Sequence, residues 1–70
     1  MWEQAIDAYR TLIKLNATDP AEAHLDLATA LAASGDTQEA KRETLRSLEI
    51  APSFRKAQKL LLELSGEETE

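Results

Sequence analysis

Seventy residues with a net charge of -5 and no cysteine make one small domain at most, and leave no disulfide, cysteine zinc site or thiol chemistry to it. The chain lacks the basic surface of a nucleic-acid binder, and charges interrupt every apolar run, so no segment is built to span a bilayer. Ala and Leu dominate the apolar set, only Trp2, Tyr9 and Phe54 are aromatic, and no stretch alternates with period two, which argues for helices and against sheet.

The first helix is expected over residues 2–15. Trp2, Ala5, Ile6, Tyr9, Leu12 and Ile13 recur at spacings of three and four and share one face, and Asn16 offers a left-handed stop. The second is expected over 20–34: Asp19 caps it, Pro20 takes the first helical position, and Glu22 completes a capping box. It then carries Leu25, Leu27, Ala28 and Leu31, and stops near Ser34-Gly35. The third, 37–51, starts at once behind Asp36, with Glu39 in the capping-box position and Ala40, Thr44, Leu45 and Leu48 facing inward. Pro52 closes it. The fourth, 54–65, is capped by Ser53, carries Ala57, Leu60, Leu61 and Leu64, and stops at Ser65-Gly66. Residues 67–70, with Glu67, Glu68 and Glu70, read as a disordered acidic tail. Such short connections make consecutive helices antiparallel neighbours.

The chain repeats itself. The first helix aligns with the third at an offset of 35 (Ala5 on Ala40, Ile13 on Leu48, Leu15 on Ile50), and the second with the fourth at 34 (Ala23 on Ala57, Leu27 on Leu61). One unit of two helices is therefore used twice, out of phase with the chain ends. Ala21-Glu22-Ala23-His24-Leu25-Asp26-Leu27-Ala28, Gly35-Asp36, Glu39-Ala40 and Leu48-Glu49-Ile50-Ala51-Pro52 together resemble the tetratricopeptide repeat (TPR): a small residue at Ala28, the Gly-Asp turn, an Ala at the helix crossing, and a closing Pro. The resemblance spans half a repeat, one full repeat and half a repeat. It implies an all-α fold, a right-handed stack of helical hairpins built from four antiparallel helices. The opening Met1-Trp2-Glu3 already reads as the interior of a helix, as though cut from a longer protein.

Little here looks catalytic. His24 stands without a carboxylate at helical spacing, since Glu22 and Asp26 lie two residues away and point off its face, so packing explains it better than metal binding. Gly35 and Gly66 stand alone at helix ends, and no phosphate loop exists. The serines carry no nucleophile motif. Glu39 and Glu43 lie one turn apart among Lys41, Arg42 and Arg46, which reads as a solvated charged face. The expectation is that the chain is no enzyme and takes no cofactor or metal.

The resemblance implies a binding module for a protein or peptide, with the concave surface formed by Glu22, Leu25, Asp26, Thr29, Ala32 and Ala33 of the second helix and by Lys56, Lys59, Leu60 and Glu63 of the fourth. A salt bridge from Lys59 to Asp26 would span it. Asp26 stands where carboxylate-clamping members place an Asn, and its charge repels a carboxylate ligand. A second reading is a structural or oligomerising segment of a larger solenoid, with a homodimer through Trp2, Ile6 and Tyr9 or through Leu60 and Leu62. A third is the accessory C-terminal domain of a larger enzyme. Neither nucleic acid nor membrane is an expected partner, and the default compartment is the cytoplasm.

Overall fold

A computed structural model of the chain describes residues 2–15 and 19–66. It is all-helical, with four helices and no strand among the described residues: α1 (Trp2–Lys14), α2 (Pro20–Ala33), α3 (Thr37–Ile50) and α4 (Arg55–Ser65). Asn16 and residues 67–70 lie outside the described residues, and with them the expected stop of α1 and the acidic tail.

Local chemistry sets the starts and stops. Asp19 Oδ1 accepts from the Ala21 N–H at 3.0 Å, and Pro20 opens α2. At the other end the Gly35 N–H donates to the Ala32 carbonyl and the Asp36 N–H to the Leu31 carbonyl, at 3.1 and 2.8 Å. This 5→2 and 6→1 pair needs a left-handed residue, and Gly35 supplies it at φ 93°. Asp36 thus finishes α2 and is at once the N-cap residue of α3. Its side chain makes no capping bond, and Glu39 pairs with Arg42 at 3.4 Å instead of closing a box.

The fourth helix starts one residue later than expected. Phe54, not Ser53, is its N-cap residue, because the Phe54 N–H closes a turn onto the Ala51 carbonyl at 3.0 Å and carries Ser53 out of the capping position. The Gln58 amide reaches back to the Pro52 carbonyl at 2.8 Å and ties that turn to the first helical turn.

The central helix is α2: it packs on α1, α3 and α4, whereas among the described helices α1 packs on α2 alone. Its buried residues run nearly all round it, namely Ala21, Ala23, Leu25, Leu27, Ala28, Ala30 and Leu31. Leu27, Ala30 and Leu31 form one cluster with Ile6 of α1 and Ala40 of α3, and Tyr9, Ile13 and Leu64 pack around its rim. Full burial of each such Leu or Ile stabilises by about 1.5–3 kcal/mol. Extents of 39 × 27 × 14 Å describe a flattened body, and Trp2 and Leu12 of α1 and Leu62 of α4 stay exposed on the outer helices.

The inner face of α3 differs from expectation. Ala40 and Thr44 are buried, but Leu45 is 48% exposed, and Glu43 and Ser47 are buried in its place. The contact with α2 is close and lined by small or polar side chains, so the face that packs runs through Ala40, Glu43 and Ser47 and leaves Leu45 outside it.

Candidate interaction surface

Glu22, Asp26, Thr29 and Ala33 follow one another at spacings of four, three and four, and so share one face of α2. Glu22, Thr29 and Ala33 are exposed, Asp26 is half-buried, and Ala32 is half-buried against the core. Leu25, expected on this surface, is instead 6% exposed and belongs to the core. The Thr29 hydroxyl donates to the Leu25 carbonyl at 3.0 Å, one turn back, so a partner would meet it chiefly as an acceptor.

Asp26 joins this face to α4. Burial pushes its carboxyl above the ordinary 3.8, the charge of Glu22 pushes the same way, and the ammonium of Lys56 pulls it back. The cation acting on Asp26 is therefore Lys56, in the first turn of α4, where the sequence suggested Lys59. Lys59 and Glu63 are exposed and Leu60 is half-buried; their spacing puts them on the face of α4 that carries Lys56. The result is an open surface with two acids on one helix, two cations and an acid on the other, and small side chains between its ends.

Behind that surface lies a polar seam. His24 Nδ1 of α2 is 2.6 Å from Glu43 Oε1 of α3, with side chains 13% and 11% exposed. Arg46 Nε approaches the other Glu43 oxygen at 3.9 Å. One turn on, the buried Ser47 hydroxyl donates to the Ala21 carbonyl at 2.7 Å. Glu43 is thus no part of a solvated face: it is 8% exposed and holds two helices together. The partner of His24 is 19 residues away, beyond any helical spacing. The available sequence signal was the run Ala40, Glu43, Thr44, Ser47, whose spacing places Glu43 on the small-residue face.

A third feature is an open hollow of about 330 Å³ lined by Glu3, Ile6, Asp7, Arg10, Leu31 and Asp36. Its carboxylates do not converge: among the described residues no group of three His, Asp or Glu could hold a metal ion. Among the described residues no helix is long and apolar enough to cross a membrane.

Comparison with protein-family models, with curated proteins and with solved structures finds no match for this chain.

Proposed function

We propose that the chain is a TPR-like stack of helical hairpins that binds an extended peptide or protein segment along the joint face of α2 and α4. The observation that carries this reading is that α4 packs on α2, with which it is not consecutive, so that residues of two helices share one surface; the pull of the Lys56 ammonium on Asp26 supports it. The repeat reading is supported by the tight Gly35-Asp36 turn and by Ala28 and Ala40, both 0% exposed, which let α2 and α3 approach closely. It is supported also by the way α1 packs on α2 as its repeat counterpart α3 packs on α4.

The charges describe the occupant. Glu22 and Asp26 suit a basic side chain, Lys56 and Lys59 an acidic one, and exposed Thr29 and Ala33 leave room for backbone between them. Binding here orients a segment and needs no reacting group.

A random peptide library selected on the immobilised chain provides the probe, and amide shifts in an NMR titration with the selected peptide locate it. Shifts should centre on Glu22, Asp26, Thr29, Ala33 and Lys56. Replacing Lys56 and Lys59 together by Ala should weaken binding about tenfold, or about 1.4 kcal/mol, while circular dichroism stays helical. Unchanged affinity, or shifts centred on another face, would remove this surface from the proposal.

A further inference from the structure

We draw no further inference here: the strongest candidate, the open hollow between α1 and the α2–α3 turn with Glu3, Asp7, Asp36 and Arg10 on its walls, is a surface cluster of acidic side chains, and nothing else among the described residues shows what would occupy it.

Discussion

The inner seam between α2 and α3 and the outer faces of α1 and α4 align with one another in the sequence at offsets of 35 and 34 residues, yet they end in opposite environments. In the seam, Ala28, Ala40 and Ser47 are fully buried and Glu43 is nearly so; on the outer faces Trp2, Leu12 and Leu62 are 50%, 37% and 46% exposed. Burial in this molecule is thus set less by side-chain type than by whether a neighbouring helix is there. A polar residue with a neighbour is buried and bonded, and an apolar residue without one is left in water. The cost of the first is met by hydrogen bonds.

The widest contrast between the two regions is expected from leucine truncation. Leu31 is 1% exposed at the centre of the cluster that joins α1, α2 and α3, so Leu31→Ala should cost about 2–5 kcal/mol. A domain of this size typically has no more than about 3–5 kcal/mol, and urea titration followed by circular dichroism should find the variant largely unfolded without denaturant. Leu62→Ala on the outer face of α4 should change stability by less than about 0.5 kcal/mol, measured in dilute solution. Equal costs would erase the distinction between seam and edge.

The polar seam comes next. Replacing Glu43 by Ala strips His24 of its partner at 2.6 Å and should cost about 1–3 kcal/mol, because the remaining group stays largely shielded from water. Replacing both residues should cost less than the sum of the single changes, and that shortfall in a double-mutant cycle measures the coupling. Additive costs would mean that the two side chains act separately and that the seam is held by apolar packing alone.

The elements of this fold were legible in the sequence because their signals are local. Asp19-Pro20, Gly35-Asp36 and Gly66 punctuate the chain through backbone chemistry within a few residues, and the observed helices end within one residue of the expected bounds. Ala28, Leu31, Ala40 and Thr44 were readable as interior from periodicity. Leu45 and Glu43 were misplaced for a common reason. Two neighbours, α2 and α4, pack on α3, so its buried arc is centred by tertiary contact and not by hydrophobicity, and a step of one residue turns the side chain by about 100°. The His24–Glu43 contact joins two helices across a turn, and nothing within either helix announces it. On the candidate surface, spacing alone put Glu22, Asp26, Thr29 and Ala33 on one face; that Leu25 lies under it, and that Lys56 rather than Lys59 answers Asp26, depends on how α4 is set against α2.

Exposed ion pairs should matter far less than the seam. Arg42 and Glu39 lie 3.4 Å apart with side chains 70% and 35% exposed. Arg42→Ala should shift stability by no more than about 0.5 kcal/mol, and less at high salt. A loss as large as that of Glu43→Ala would show that burial is not what separates the two carboxylates.

The smallest effect expected is also the one that probes the candidate surface directly. Burial and Glu22 hold the Asp26 carboxyl above its ordinary 3.8 in the folded chain, so the folded state takes up a proton more readily than the unfolded state does. Stability from this group is then fully present below pH 3.8 and is lost as pH rises through the raised folded value, leaving a charged Asp26 as a net cost at neutral pH. Asp26→Asn should therefore raise Tm slightly at pH 7, and the gap from wild type should close in acid. Lys56→Ala should widen the neutral-pH gap, since it removes the charge that pulls the carboxyl back. A gap indifferent to Lys56 would mean that α4 does not share an electrostatic surface with α2, and the proposed two-helix binding face would lose its electrostatic support.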